Sequence, residues 1–281
     1  MVTSERRQLE KLACKIRTGI LEATHGAKSG HPGGSLSAAD LFTYLYFKEL
    51  RIDPKNPHWE DRDRFVLSKG HTAPGLYSAL ALRGYFSWDA LPTLRHTDSF
   101  LQGHPNMNTV PGVDMSTGSL GQGISAAAGM ALGAKYLGKD FRVYTLLGDG
   151  EIQEGQVWEA CMLAAHYHLD NLCVIIDNNG LQIDGRVADV MSPYPIDQKL
   201  AAFGFHVEVI DGHDFSQIDT AFTTARNTTG KPTAILMKTI KGKGVSFMEN
   251  QAGWHGKAPN DAEFAQGMAE LNARLAELEE N

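Results

Sequence analysis

Two polar turns in the second half of the chain carry oxygen atoms that suit a metal ion. Gly148-Asp149-Gly150 follows the apolar run 141–147, and Asp177-Asn178-Asn179-Gly180 follows the run 172–176. The 27 residues between Gly150 and Asn178 suffice for one helix and one strand. Both turns are therefore predicted at the carboxyl edge of a parallel sheet, where ligands bind. Either sequence alone is more often a plain turn. Together they predict Mg²⁺ held by a carboxylate, an amide oxygen and a following carbonyl, beside a ligand's phosphate oxygens.

The surrounding elements alternate between short apolar segments and segments of helical periodicity. Strands are predicted at residues 65–67, 141–147, 172–176, 205–210 and 233–240. Helices are predicted at residues 4–23, 37–50, 75–82, 121–137, 155–168, 198–203, 215–227 and 260–280, with Ser35 or Ser37 as a cap and the last helix exposed. Apolar strands between amphipathic helices predict an α/β fold, a doubly wound and mainly parallel sheet with helices on both faces. Residues 1–281 are predicted to form one domain with an N-terminal helical extension and a C-terminal helix.

Composition excludes several classes of function. The chain has 281 residues, 42% of them hydrophobic, and 33 acidic against 26 basic residues give a net charge of −7. This balance argues against a nucleic-acid partner. No apolar stretch reaches the roughly 18 residues of a membrane span, so no membrane partner is expected. Three cysteines without metal-like spacing favour a reducing compartment, and we expect a cytoplasmic protein.

Four histidines lie in glycine-rich segments rather than in periodic ones. They are His31, His71, His104 and His255. One such histidine alone is more often a solvated loop residue. Four of them favour a convergent polar site, since imidazole donates hydrogen bonds and moves protons near neutral pH. The neighbouring Gly242-Lys243-Gly244 lacks the spacing of a phosphate-binding loop, and we give it no role.

The spacing of the two turns resembles the thiamine diphosphate-binding motif. Further segments resemble the N-terminal half of transketolase, over residues 15–259. These segments are Ser29-Gly30-His31-Pro32-Gly33-Gly34, Leu67-Ser68-Lys69-Gly70-His71, Gly103-His104-Pro105, Ser116-Thr117-Gly118-Ser119-Leu120-Gly121-Gln122-Gly123 and Trp254-His255-Gly256. The resemblance implies the diphosphate-binding domain of the thiamine diphosphate fold.

The resemblance also implies roles for individual residues. Asp149, Asn179 and the Leu181 carbonyl would bind Mg²⁺, or another divalent cation such as Ca²⁺, which would hold the cofactor diphosphate. His31, His104 and His255 would be catalytic, His104 by binding the donor's terminal hydroxyl. Thiamine diphosphate would contact His71, Gly118, Ser119, Leu120, Gly150, Glu154, Asn179, Ile183 and His255. Within this set the Gly150 N–H would donate to the diphosphate, and Glu154 would join a hydrogen-bond network between subunits.

The implied reaction transfers a two-carbon ketol (glycolaldehyde) unit from a ketose phosphate to an aldose phosphate, in pentose phosphate metabolism by default. The family's pyrimidine-binding and C-terminal domains would come from a separately encoded chain, and we expect an α2β2 assembly that is active only when complete. One alternative is a transketolase subunit for an unusual sugar, of the apiose or sulfosugar type. Another is a non-catalytic subunit that binds the cofactor or regulates. The α subunit of a 2-oxo acid dehydrogenase and deoxyxylulose phosphate synthase are disfavoured by the Ser-Gly-His-Pro-Gly and Trp-His-Gly loops.

Overall fold

A computed structural model of the chain describes residues 1–280, so Asn281, the last residue of the predicted domain, lies outside the described part. Seven strands are present in these residues: β1 Arg64–Leu67, β2 Val143–Gly148, β3 Leu172–Asn178, β4 Leu181–Gln182, β5 Gly185–Arg186, β6 His206–Asp211 and β7 Thr233–Lys238. The main sheet has the order β1-β2-β3-β7-β6, and every pair in it is parallel. β4 and β5 form a small antiparallel ribbon directly after β3. The predicted parallel sheet is confirmed.

The register of the sheet brings the two polar turns together. β2 and β3 pair from Val143 opposite Leu172 to Gly148 opposite Asp177. The Asp149 N–H then donates to the Asp177 carbonyl at 3.2 Å, one residue beyond the last pair. Both strands are almost wholly buried, which explains their continuous apolar sequence. The prediction that the two turns lie side by side at the carboxyl edge is confirmed.

Helices cover both faces of the sheet. They are α1 Thr3–Ala27, α2 Pro32–Ser37, α3 Ala39–Tyr44, α4 Ala73–Arg83, α5 Gln122–Tyr136, α6 Gly155–His166, α7 Val187–Met191, α8 Ile196–Ala202, α9 Phe215–Asn227 and α10 Asp261–Glu280. Alternate strand residues enter two separate cores, since side chains of a strand point to opposite faces in turn. Tyr144 and Ile175 pack with α1, α3, α4 and α9, whereas Leu147 and Val174 pack with α5, α6 and α8. The doubly wound arrangement is therefore confirmed.

The single helix predicted for residues 37–50 is wrong. The segment holds the end of α2, a break at Ala38 (φ −93°, ψ 0°), α3 and a π-helical turn at Leu45–Glu49. Pro32 starts the helical structure earlier, because proline fits the first helical turn. Neither Ser35 nor Ser37 is a cap, since both lie inside α2. Their hydroxyls donate elsewhere, Ser35 to the His31 carbonyl at 2.8 Å and Ser37 to Asp177 Oδ2 at 2.5 Å.

The C-terminal helix is not simply exposed, as the sequence suggested. α10 packs along α1 and buries Gly267, Leu271 and Leu278. A side chain at Gly267 would put its Cβ 2.9 Å from Leu21 Cδ1, so any larger residue there would require the Leu21 side chain to shift. In residues 1–280, no helix is both long enough and apolar enough to cross a bilayer.

Candidate functional site

A cavity of about 360 Å³ opens at the carboxyl edge of β2 and β3. Nearly every residue that the sequence predicted for the site lines this cavity. Its lining includes His31, His71, Gly118, Leu120, Asp149, Gly150, Glu154, Asn179, Leu181, Ile183 and His255. His104 and Ser119 do not line it, and both are exposed. The loops that follow four different strands thus meet at one place, as expected for a ligand site on a doubly wound sheet.

Asp149 is a buried carboxylate with no cationic side chain against it. Asp149 is only 2% exposed, and within residues 1–280 it forms no ion pair. Oδ1 accepts a hydrogen bond from the Gly150 N–H at 2.9 Å, and Oδ2 accepts one from the Gly180 N–H at 2.6 Å. Burial, with the nearby Asp177 carboxylate, raises the pKa of Asp149 to about 6. A buried acid in this state is well suited to a bound cation. The Gly150 N–H, predicted to meet a diphosphate, is here engaged by Asp149.

Two neutral oxygens complete the candidate metal site. The Asn179 amide group donates from Nδ2 to Asp177 Oδ2 at 3.1 Å, and its Oδ1 accepts from the Leu181 N–H at 3.1 Å. No group of three or more His, Cys, Asp or Glu side chains in residues 1–280 could hold a metal. A cation here would therefore depend on one carboxylate together with amide and carbonyl oxygens. These are hard oxygen ligands, which Mg²⁺ accepts alongside water and phosphate, so the residues present fit that ion.

A buried ion pair lies next to the turn after β3 that carries the candidate metal ligand Asn179. Lys69, just beyond β1, contacts Asp177 at the end of β3, and both side chains are 2% exposed. Asp177 also accepts hydrogen bonds from Ser37 and Thr239. Burial alone would raise the pKa of Asp177, but the Lys69 ammonium and these donors hold it below its usual range. Because Asn179 donates to the same carboxylate, the pair fixes the orientation of the candidate metal ligand.

Three of the four predicted histidines converge in the cavity. The ring centroids of His31 and His71 are 5.2 Å apart, those of His31 and His255 5.4 Å, and those of His71 and His255 5.1 Å. The His104 ring is 6.5 Å from His31 and lies beside Gly118, at the edge of the cavity. Three of the four histidines thus lie close together in the cavity, and the fourth lies at its margin.

Burial keeps these imidazoles neutral. It lowers the pKa of His31 to about 4 and that of His255 to about 3, helped by nearby cationic and imidazole groups, and the pKa of His71 falls well below its usual range. Each ring therefore offers one N–H donor and one acceptor nitrogen at neutral pH. Nδ1 of His31 is buried and has no hydrogen-bond partner within residues 1–280. Such a buried nitrogen normally has a hydrogen-bond partner, so this one is an exception that marks the position as unusual.

Lys241 is a site residue that the sequence analysis missed. It lines the cavity, is 2% exposed, and donates from Nζ to the Leu181 carbonyl and to His255 Nδ1, each at 3.1 Å. Burial, together with the charge of Lys69, lowers the pKa of Lys241 to about 8. The available signal was a lysine beside a glycine turn, which is typical of a surface loop and gave no reason to place it in the site.

Glu151 was also missed, and it ties three elements together. Its carboxylate is buried and accepts hydrogen bonds from the Ser68 hydroxyl at 2.5 Å, the Gly121 N–H at 2.9 Å and the Gly148 N–H at 3.0 Å. These groups lie after β1, before α5 and at the end of β2. Both carboxylate oxygens of Glu151 therefore accept hydrogen bonds, and the residue holds these three segments together at the wall of the cavity. The neighbouring Glu154 is exposed.

The rim of the cavity carries exposed apolar side chains. Ile183 is 67% exposed and Met191 64% exposed, while Leu120 and Tyr194 are partly so. Tyr194 is held near the site through its hydroxyl, which donates to Asn178 Oδ1 at 2.8 Å. Apolar side chains grouped beside a polar cavity are typical of a surface that another molecule covers.

Comparison with known proteins agrees with this geometry. Residues 9–274 match the family model described as transketolase, thiamine diphosphate binding domain. The chain is 44% identical over 270 residues to 6-deoxy-6-sulfo-D-fructose transketolase subunit SqwG of Clostridium sp. (strain MSTE9), covering 96% of this chain and 98% of that protein. It is 42% identical over 266 residues to a subunit of apulose-4-phosphate transketolase from Actinobacillus succinogenes, covering 94% of this chain and 96% of that protein.

A solved structure shows the same fold. The crystal structure of transketolase from Campylobacter jejuni superposes with a TM-score of 0.88 at 32% identity. The match covers 96% of this chain and 45% of that one, so the chain spans about half the length of that transketolase. The chain therefore belongs to the transketolase family, and it carries the thiamine diphosphate-binding domain of that family.

Proposed function

We propose that this chain binds thiamine diphosphate with Mg²⁺ and transfers a two-carbon ketol unit from a ketose phosphate to an aldose phosphate, together with a second chain. The observation that carries the proposal is that Asp149, Asn179 and Leu181 line the same cavity as His31, His71 and His255. Membership of the family supports thiamine diphosphate as the cofactor, and the carboxylate, amide and carbonyl oxygens in the cavity support Mg²⁺ as the metal ion. We take residues 1–281 as one diphosphate-binding domain.

The residues of this chain would bind the cofactor with its metal ion and orient them. When bound, thiamine diphosphate supplies the electron sink that stabilises a carbanion. Asp149, Asn179 and the Leu181 carbonyl would hold Mg²⁺ against the diphosphate. His71 would donate to the diphosphate, and Gly118, Ser119, Leu120, Gly150, Glu154 and Ile183 would form the remaining contacts with the cofactor or the covering subunit.

The remaining histidines would act on the sugar. His31 and His255, neutral at working pH, would donate to hydroxyl or carbonyl oxygens near the reacting carbon and hold a proton at a ring nitrogen. His104, at the edge of the cavity, would reach the far hydroxyl of the donor. Because a neutral imidazole both donates and accepts, the His31 ring can pass a proton without gaining a lasting charge.

The second chain would carry the pyrimidine-binding and C-terminal domains. Two observations support this part of the proposal. The apolar rim of the cavity needs a cover, and relatives that match over nearly their whole length are named as subunits. We propose an α2β2 assembly in the cytoplasm, and the three cysteines, free and buried, suit a reducing compartment.

The substrate has two candidates. Pentose phosphates are the default for a transketolase. The names of the two relatives favour a second candidate, an unusual ketose such as 6-deoxy-6-sulfo-D-fructose or apulose 4-phosphate. A purely regulatory chain is less favoured, because it would not need the complete oxygen donor set and three converging histidines.

A reconstitution assay tests the proposal. The chain is mixed with a separately encoded chain that resembles the pyrimidine-binding and C-terminal domains of transketolase, with thiamine diphosphate and Mg²⁺. Ketol transfer to ribose 5-phosphate is measured from xylulose 5-phosphate, and transfer from 6-deoxy-6-sulfo-D-fructose and to or from apulose 4-phosphate is measured in parallel. We expect turnover only in the mixture, and the productive sugar identifies the substrate. Turnover by the chain alone would contradict the two-chain proposal, and failure with every sugar would contradict ketol transfer.

A variant pair controls for the metal site. Asp149→Asn keeps the shape of the side chain but removes its charge, and we expect it to abolish turnover in the mixture. Asp184→Asn changes an exposed aspartate in the neighbouring loop and should leave turnover unchanged. Equal activity of both variants would show that Asp149 does not hold the metal.

A further inference from the structure

We propose that Lys241 is a positioning residue that fixes the tautomer of His255, so that its Nε2–H points into the cavity. The consequence for catalysis rests on the function proposed above. The tautomer itself rests only on the contacts of these two residues.

The direction of one hydrogen bond sets the tautomer. Lys241 Nζ lies 3.1 Å from His255 Nδ1 and 3.1 Å from the Leu181 carbonyl oxygen. An ammonium group has three donors and no acceptor, so Nδ1 must accept. A neutral imidazole that accepts at Nδ1 carries its proton at Nε2. His255 lines the cavity, and its Nε2 has no hydrogen-bond partner in the described part of the chain. That donor is free for a ligand.

The ammonium has no competing role in an ion pair. No carboxylate of residues 1–280 lies within 4 Å of Lys241 Nζ, whereas the other buried lysine of the cavity, Lys69, contacts Asp177. Burying an unpaired ammonium is unfavourable, so its N–H groups need hydrogen-bond acceptors. The contacts that this ammonium makes are one carbonyl and the ring nitrogen of His255.

The backbone around Lys241 is held on both sides. Its carbonyl accepts from the Asn250 N–H at 2.9 Å, and the next N–H, of Gly242, donates to the Gly33 carbonyl at 2.9 Å. The preceding N–H, of Ile240, donates to His213 Nε2 at 2.9 Å. A Cβ at Gly33 would lie 3.2 Å from Lys241 Cγ and 2.7 Å from the Trp254 carbonyl oxygen. The Lys241 side chain therefore extends toward His255 through a narrow space, between backbone segments that are held by hydrogen bonds.

The tautomer decides what His255 offers to a substrate. With its proton at Nε2, the ring presents a donor and no lone pair to the cavity. It would stabilise negative charge that develops on a substrate oxygen, and it would not start the reaction as a base. With the proton at Nδ1 the roles would be reversed.

Nitrogen NMR on the full chain tests the proposal without cofactor or partner. Histidine is labelled with ¹⁵N, and the His255 signals are identified by their loss in His255→Gln. In the wild type we expect an Nδ1 shift typical of an unprotonated nitrogen and an Nε2 shift typical of a protonated one. The opposite pattern would overturn the proposal, and this outcome needs no variant at Lys241.

Three variants separate positioning from mere packing. Lys241→Met removes the donor and should move His255 toward a mixture of tautomers, with both nitrogen shifts intermediate. Lys241→Arg keeps a donor and should retain the wild-type pattern. Lys243→Met, two residues away and outside the cavity lining, should also retain it. An unchanged His255 pattern in a folded Lys241→Met chain would overturn the proposal.

In the reconstituted enzyme, Lys241→Met should lower kcat at least 10-fold, with a smaller change in KM for the ketose, and Lys241→Arg should recover part of the loss. A wild-type mixture without turnover would count against the proposed function, while the NMR result would still decide the tautomer. Full activity of Lys241→Met would remove the catalytic consequence of the proposal.

Discussion

Removing one charge of the buried Lys69–Asp177 pair should destabilise the chain strongly. Breaking a buried pair by removing one partner costs about 3–5 kcal/mol, because the remaining charge stays buried. In Lys69→Met, Asp177 keeps hydrogen bonds from Ser37, Thr239 and Asn179, which partly satisfy its carboxylate. We therefore expect a loss near the lower limit, about 3 kcal/mol. Asp177→Asn removes the negative charge opposite the Lys69 ammonium, whose other acceptor is the Gly34 carbonyl at 3.4 Å, and should cost at least as much.

Urea unfolding of the two single variants and the double variant gives the coupling between the charges. The double variant Lys69→Met/Asp177→Asn buries no charge at this position, so it should lose less than the sum of the single losses by about 2 kcal/mol or more. Lys135→Met is the control, since its 2.6 Å pair with Asp170 is partly exposed and should be worth about 1 kcal/mol or less. Additive single losses, or a loss for Lys69→Met no greater than that control, would refute the reasoning.

Three further predictions concern other parts of the fold. Burial raises the pKa of Asp40, but the Arg17 charge and hydrogen bonds outweigh this and lower it to about 2. Since the folded pKa lies below the unfolded one, Asp40 should contribute about 2 kcal/mol above pH 4, and this should vanish toward pH 2. Urea midpoints measured from pH 5 to pH 3 should show about half of that loss in the wild type and lack it in Asp40→Asn. Burial raises the pKa of Cys161 and Cys173 to about 12, so the folded chain should resist alkylation at pH 8, and rapid labelling without denaturant would contradict this. Gly70→Ala should lower the urea midpoint, because its Cβ would lie 2.7 Å from Thr117 Oγ1 and 2.9 Å from a backbone nitrogen. Gly129→Ala, in an open helical position, should raise the midpoint instead.

The sequence predicted those features that depend on local pattern. Apolar runs and the turns after them placed β2 and β3 and their aspartates correctly, because a buried parallel strand is apolar over its whole length. Asp149, Asn179 and the glycine-flanked histidines were singled out by residue type and spacing, and Asp149, Asn179, His31, His71 and His255 line one cavity. Helix boundaries within residues 37–50 were wrong, since the break at Ala38 leaves no mark in the apolar periodicity.

The features that were missed depend on contacts between distant segments. Lys69 meets Asp177 across 108 positions, and Lys241 meets the Leu181 carbonyl across 60. Periodicity within a segment does not reveal that a lysine lies in a cavity. His104 shows the same limit, because its glycine-flanked loop is like the others, yet the fold leaves it at the edge of the cavity.

Calorimetric titration of thiamine diphosphate tests the central claim most directly. The chain, combined with its partner chain, is titrated with the cofactor in the presence of Mg²⁺, and the titration is repeated with the metal removed by a chelator and with Asp149→Asn. We predict saturable binding of one cofactor per chain that requires both the metal and the Asp149 carboxylate. Binding that survives the loss of either, or no binding at all by the wild-type assembly, would contradict the account.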